Sequence, residues 1–218
     1  MPDLLEMLSL IARGIGATVG ITATALVVGG LLGIPLAVAR QSSNRILNAL
    51  ATGWVQIVRG VPPLVWLLIV FMGVGQLVRG MSAFTAGILV FSAVASAFFC
   101  EIYVGGLRGV PKGQLEAIAA TALPAGYGFR AIVLPQALRI SVPAMASYAI
   151  GMLKDSALVS VIGVQDITFE AARLQAQTGD GLWPFLTAGL LYLVLSLPLA
   201  LLGRMVAARL HSSTAKAA

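Results

Sequence analysis

Few side chains in this sequence could do chemistry, and their spacing limits what that chemistry is. Glu101 follows Cys100 at the end of an apolar run, Arg59 precedes the pair Pro62-Pro63, and Lys154-Asp155-Ser156 closes another apolar stretch. A serine nucleophile needs a base within reach, and Lys154, two positions from Ser156, points to a different helix face. Cys100 is the one cysteine, so neither an intrachain disulfide nor a cysteine-pair zinc site can form. The one histidine, His211, lies in the polar tail HSSTAKAA, and no GxxxxGK[ST] phosphate loop occurs. No catalytic residue, metal ligand or resident cofactor is therefore expected. What remains is a handful of charges bordering apolar segments, where an ionisable group is costly unless it pairs or faces water.

The elements that hold these charges follow from composition. Of 218 residues, 59% are hydrophobic and 10% charged, and the mean hydropathy is +0.96. Soluble domains carry about 25% charged residues. The chain reads as an integral membrane protein, which excludes a soluble enzyme, a disulfide scaffold and a disordered basic tail. Its charge of +6 would suggest nucleic acid in a soluble protein. In a membrane protein it marks loops instead, and no nucleic-acid partner is expected. A crossing helix needs about 20 largely apolar residues. The charge-poor runs place five spans at about 15–39, 61–78, 82–100, 132–153 and 184–203 in one membrane domain, 1–218, without repeats. Asp3 and Glu6 occupy what would be the positive region of a signal peptide, so the first span is expected to stay. Nine Lys and Arg fall on one side and four on the other. The basic side should be cytoplasmic, with the C-terminus, the 40–48 loop and the 101–131 loop, and the N-terminus should lie outside.

The long loop carries a second signal. In QLEAIAATAL the residues Leu115, Ile118, Ala119, Ala122 and Leu123 share one helix face, with Glu116, Ala117, Ala120 and Thr121 opposite. Lys112 and Gly113 precede this helix, and Pro124, Gly126 and Gly128 end it. It is too short to span, so it should lie across the mouth of the bundle as a docking element. By periodicity alone the favoured reading is an alanine-rich interfacial helix, since amphipathic helices are common at membrane surfaces.

Glu116-Ala117, followed at a distance by Leu134-Pro135-Gln136-Ala137-Leu138, resembles the EAA loop of ABC-importer permeases. Other segments are similar to the polar amino-acid branch of that family. Arg59-Gly60-Val61-Pro62-Pro63-Leu64 resembles RGTPxL, Glu101-Ile102-Tyr103-Val104-Gly105-Gly106 resembles EIYRGG, and the run Leu153 to Val164 resembles LKDTSLVSVIGV. The departures are Ile118 for the second Ala of EAA, Ala122 for a turn Gly, Val104 for an Arg, and Ser156-Ala157 for Thr-Ser.

The resemblance implies an all-α integral membrane fold, the type I ABC importer permease, with five transmembrane helices and a short cytoplasmic coupling helix. It also implies import of polar amino acids or related zwitterions across a bacterial inner membrane. The expected partners are two cytoplasmic ATP-binding subunits, which hold ATP and Mg, a second permease copy or paralogue, and a periplasmic solute-binding protein. Coupling to the ATPase falls to Gly113, Glu116, Ala117, Ile118, Ala120 and Ala122. ATP binding would draw the Glu116 helices together and open the path outward, and hydrolysis would reset it.

Arg59, Pro62, Glu101, Lys154, Asp155 and Ser156 are candidates for the substrate path or gate. The charged candidates have plainer readings: Arg59 as an interfacial anchor, Glu101 as half of a structural pair with Arg59 or Arg108, and Lys154-Asp155-Ser156 as a solvated helix end. Asp166, Glu170 and Arg173 could meet a solute-binding protein or form a solvated face. Gly29, Gly30, Gly33 and Gly16 read as helix-packing positions. The rival reading is a self-sufficient secondary transporter or channel. It would use an intramembrane acid relay, for which Glu101 is the sole acidic candidate.

Overall fold

A computed structural model describes residues 3–78, 80–121 and 123–215, with the backbone alone for 210–215. The described residues are helical almost throughout, with no strand among them. Helix α1 (Leu4–Ile11) passes through a 3-10 turn, Ala12–Gly14, into α2 (Ile15–Arg40). Helix α3 (Arg45–Gly60) starts where the Asn44 side chain accepts from the backbone N–H groups of Ile46 and Leu47, satisfying donors that a helix start leaves unpaired. Pro62 is extended and Pro63 takes the first position of α4 (Pro63–Leu68), where a missing N–H costs nothing. The chain turns by 99° there and continues through π-helical turns, Ile69–Val74, to Leu77. Trp66 Nε1 donates across the bend to the Val58 carbonyl, one of the orphan acceptors at the end of α3.

Helix α5 (Ala83–Arg108) is the centre of the bundle and packs against α2, α3, α4 and α7 (Leu134–Asp155). The α2 contact rests on missing side chains. A Cβ on Gly29 would sit 2.3 Å from Ala95 Cβ, and one on Gly33 would sit 2.7 Å from Phe99 Cβ. Between them the Gly30 carbonyl accepts from Tyr103 Oη at 3.1 Å. Gly16, expected to pack likewise, has open space around it. Helix α6 (Lys112–Ala120) follows α5, and the short turn Ala125–Gly128 and a π-helical turn, Phe129–Val133, lead into α7. A 3-10 run, Ser156–Ile162, ends at Gly163, whose φ of 87° suits glycine. Helix α8 (Ile167–Thr178) and the long α9 (Trp183–Ala215) complete the fold. Ile11 of α1, Ile167 and Leu174 of α8 and Leu191 of α9 share a second apolar core.

Among the described residues, four helices are long and apolar enough to cross a membrane, and a fifth crossing results if the bent pair Arg45–Gly60 and Pro63–Leu77 is one span. The helices run past the charge-run boundaries at four of the five spans, α9 among them, which continues to Ala215. The third helix continues through Glu101 to Arg108, so the loop expected from 101 is shorter. Helical structure before the fourth span begins at Ala125, and the first helical stretch begins at Leu4. A charged side chain ends an apolar run but not a helix: Glu101 is tolerated because it is neutralised, as described next. Lys112 and Gly113 lie inside α6, because extended Pro111 leaves Lys112 as the first helical residue. Gly126 and Gly128 lie within the next helical turn and do not end α6.

Candidate functional site

Three helices bring charge together at one junction. Arg40 at the end of α2 and Arg59 near the end of α3 both reach the same oxygen of Glu101 in α5, Nη1 to Oε1, at 2.8 Å and 3.0 Å. Cationic side chains at helix C-termini also complement the negative end of the helix dipole. Asn48 of α3 donates from Nδ2 to the Arg40 carbonyl, which ties the end of α2 to α3 and satisfies a terminal acceptor. One carboxylate faces two guanidinium groups, so the junction keeps a net positive charge. Arg40 is 13% exposed and Arg59 38%, so Arg59 is the more accessible of the two cations.

An aromatic platform extends from Arg59. Its guanidinium lies 4.9 Å from the Phe98 ring centroid, a cation–π contact. Phe98 stacks on Tyr148 of α7 at 4.8 Å, and Phe99 meets Tyr148 edge-on at 5.5 Å. The Tyr148 hydroxyl is buried and has no hydrogen-bond partner among the described residues. Asp155 lies seven residues further along α7, on the same helix face. Beside the junction, the elbow borders a half-open apolar groove of about 420 Å³ lined by Trp54, Ile57, Trp66, Val70, Leu89 and Ala93 among others. Both indole N–H groups are already used, by Ser96 Oγ and the Val58 carbonyl. That groove offers no free polar side chain to orient a charged solute, whereas the junction presents a half-exposed guanidinium.

The path and gate candidates therefore divide. Arg59 and Glu101 are in contact, and Pro62 shapes the elbow behind Arg59. Lys154 and Asp155 end α7, about two helical turns beyond Tyr148, and are not brought to the junction. Ser156 is fully buried and donates to the Leu153 carbonyl at 2.7 Å, a bond that helps turn α7 into the 3-10 run. Sequence reasoning missed Arg40. Arg108, the alternative partner, is seven residues along the same helix from Glu101, about 10 Å away by helix rise. The available signal was that Arg40, like Arg59, ends an apolar helix.

Gly113, Glu116, Ala117 and Ala120 are exposed on α6, and Ala122 lies outside the described residues. Of the expected apolar face Ile118 packs and Leu115 stays 50% exposed. The helix ends at Thr121, whose hydroxyl donates to the Ala117 carbonyl at 2.8 Å. Such a helix covers little of the bundle beneath it and leaves most of its surface unpacked.

At the opposite end of α7, Asp166 is fully buried and caps α8 by accepting from Phe169 N–H at 2.8 Å. Tyr192 Oη donates to its other oxygen at 3.1 Å, and Thr18 Oγ1 accepts from Ile167 N–H at 3.3 Å. Gly14 makes this possible, because a Cβ there would lie 2.2 Å from the Asp166 carbonyl carbon. Burial pushes the Asp166 carboxyl up to about 6 despite these donors. Glu170 is buried and paired with Arg173 at 3.0 Å, so of the expected outer charges Arg173 is the one that is openly exposed.

A helical bundle with several membrane crossings, a charged junction at the broken helix and an unpacked amphipathic helix at one end defines a polytopic membrane transport subunit. The chain belongs to the family described as binding-protein-dependent transport system inner membrane component, whose model matches residues 29–212. It is 33% identical over 204 residues to the arginine transport system permease protein ArtQ of Bacillus subtilis (strain 168), covering 93% of each chain. It is 29% identical over 201 residues to the putative glutamine transport system permease protein GlnP of Rickettsia bellii (strain RML369-C), covering 92% of each. Among solved structures it is similar to an amino acid ABC transporter crystallised with histidines, with a TM-score of 0.88, 32% identity, and coverage of 96% of this chain and 99% of that one. The inward-facing MetNI methionine ABC transporter, at 22% identity and a TM-score of 0.76, shares the fold.

Proposed function

We propose that this chain is the permease subunit of an ATP-driven importer of amino acids or similar small zwitterions. The observation that carries the reading is α6: an exposed amphipathic helix at one end of a transport bundle, bearing Glu116-Ala117 and touching its own chain mainly through Ile118. Its unpacked face is the surface on which a cytoplasmic ATP-binding subunit engages, with Gly113, Glu116, Ala117 and Ala120 in contact. ATP and Mg belong to that partner. The C-terminus and the Lys112 end face the cytoplasm, and the α8 end faces a solute-binding protein outside. A second copy or a related permease completes the path.

Within the path, Arg59 is the group that meets the substrate carboxylate. Arg40 keeps Glu101 neutralised when Arg59 turns away, so the exchange leaves no bare carboxylate at membrane depth. Phe98 and Tyr148 flank the site, and Asp155 on the same face of α7 attracts the ammonium group. The test is reconstitution with the cognate ATP-binding subunit and solute-binding protein. ATP-dependent uptake of radiolabelled arginine, glutamine or histidine is expected, and Glu116→Trp or Ala117→Trp should abolish it while the chain still inserts. Uptake by the chain alone under an ion gradient would overturn the reading in favour of a secondary transporter.

A further inference from the structure

The contact between α6 and the rest of the chain is a socket. Ile118 Cγ2 occupies the space above Gly128, where a Cβ would lie 2.6 Å away, and Ile118 Cδ1 and Cγ1 would both be 3.3 Å from it. Gly128 is buried and is the last residue before the π-helical turn Phe129–Val133. Beyond that turn α7 is held firmly to α5. A Cβ on Gly106 would meet Ser141 Oγ and come 2.7 Å from the Ala137 carbonyl oxygen, and Ser141 Oγ donates to the Ile102 carbonyl at 3.2 Å. Ile118 also leans on Val110, Val133 and Ala137. So Ile118 bridges the turn that ends at Gly128 and the start of α7, which is fixed to α5, and the π-helical turn between those two supports is of a kind frequent at functional sites.

We infer that Ile118 seated on Gly128 is the positioning joint that sets the angle of α6 and carries its displacement into α7. Ile118 is suited to this because a β-branched side chain has one strongly preferred χ1 in a helix. Its Cγ2 cannot swing aside without the helix moving. The pair also accounts for a bulky residue where the EAA pattern carries alanine: glycine at 128 supplies the room. This inference rests on the reading of α6 as the site where the ATP-binding subunit engages.

The test compares Gly128→Ala, Ile118→Ala and the double substitution I118A/G128A in the full reconstituted complex, measuring the amount of assembled complex, ATP hydrolysis and amino-acid uptake. The added methyl of G128A should displace α6 and lower uptake per ATP hydrolysed by roughly fivefold or more, the lower range of inter-site couplings. The double variant removes the obstructing Cγ2 and should recover most of that ratio. Ile118→Ala, which preserves helix propensity, should lower the ratio without loss of assembly. Normal uptake per ATP in both single variants, or a loss of assembled complex with an unchanged ratio, would overturn the joint. Absence of ATP-driven uptake by the unsubstituted complex would overturn the underlying functional reading instead.

Discussion

Arg40 and Glu101 meet at 2.8 Å between the end of α2 and the body of α5, and Arg59 shares the same carboxylate oxygen from α3. The junction orders three helices through one acid, and the two arginines are not equivalent. Arg40 is the more buried, and removing it leaves Glu101 dependent on a half-exposed partner. Arg40→Ala should cost more than the roughly 1 kcal/mol of an exposed pair and less than the roughly 3 kcal/mol of a fully buried one, since Glu101 keeps Arg59 and is partly exposed. Arg59→Ala should cost about 1 kcal/mol or less, as for exposed pairs, while impairing uptake more. Thermal unfolding of the two purified variants, with uptake in parallel, checks the order.

Helix packing at Gly29 and Gly33 predicts a position-specific response to one methyl group. Gly29→Ala and Gly33→Ala should each destabilise by roughly 1–3 kcal/mol, the cost of overpacking. Gly16→Ala, in open space on the same helix, should be neutral or gain up to about 1 kcal/mol from reduced chain entropy. Unfolding temperatures of the three variants separate packing from propensity.

Asp166 predicts a pH dependence. Its carboxyl titrates at about 6 in the fold, against an ordinary value of 3.8. The folded state holds the proton more tightly than the unfolded one, so this group's contribution is fully present below about pH 4 and is lost as pH rises through about 6. The difference is on the order of 3 kcal/mol at 1.36 kcal/mol per pH unit. Asp166→Asn keeps an oxygen for Phe169 N–H and should remove this dependence, making the variant the more stable form above pH 7. Unfolding midpoints across pH for both proteins measure it, and parallel profiles would exclude Asp166 as the source.

The Tyr148 hydroxyl, buried without a partner among the described residues, predicts that Tyr148→Phe leaves stability unchanged or raises it by up to about 1 kcal/mol. If the hydroxyl serves the substrate, the same variant loses uptake. A fall in stability would show that it is satisfied in the folded protein.

Much of the fold was legible because a bilayer imposes a length and a polarity that composition records directly. Apolar runs between Arg13, Arg40, Arg59, Arg79 and Glu101 located helices, and Pro62-Pro63 located the break. The amphipathic pattern around Glu116 located α6. The site was less legible. In the sequence Arg40 is one more loop charge, and Arg108 is as available a partner for Glu101 as Arg59.

Linear spacing determines which residues share a helix face, since 3.6 residues per turn is a local rule. It determined that this chain is a set of membrane helices with an exposed short helix carrying Glu116-Ala117. Which faces meet is decided by shape across the bundle. Gly29 and Gly33 let α2 lie against α5, and the three-way Arg40–Glu101–Arg59 junction formed there. Ile118 found its socket at Gly128. Missing side chains create those contacts, and a sequence records a glycine without recording what fills the space beside it.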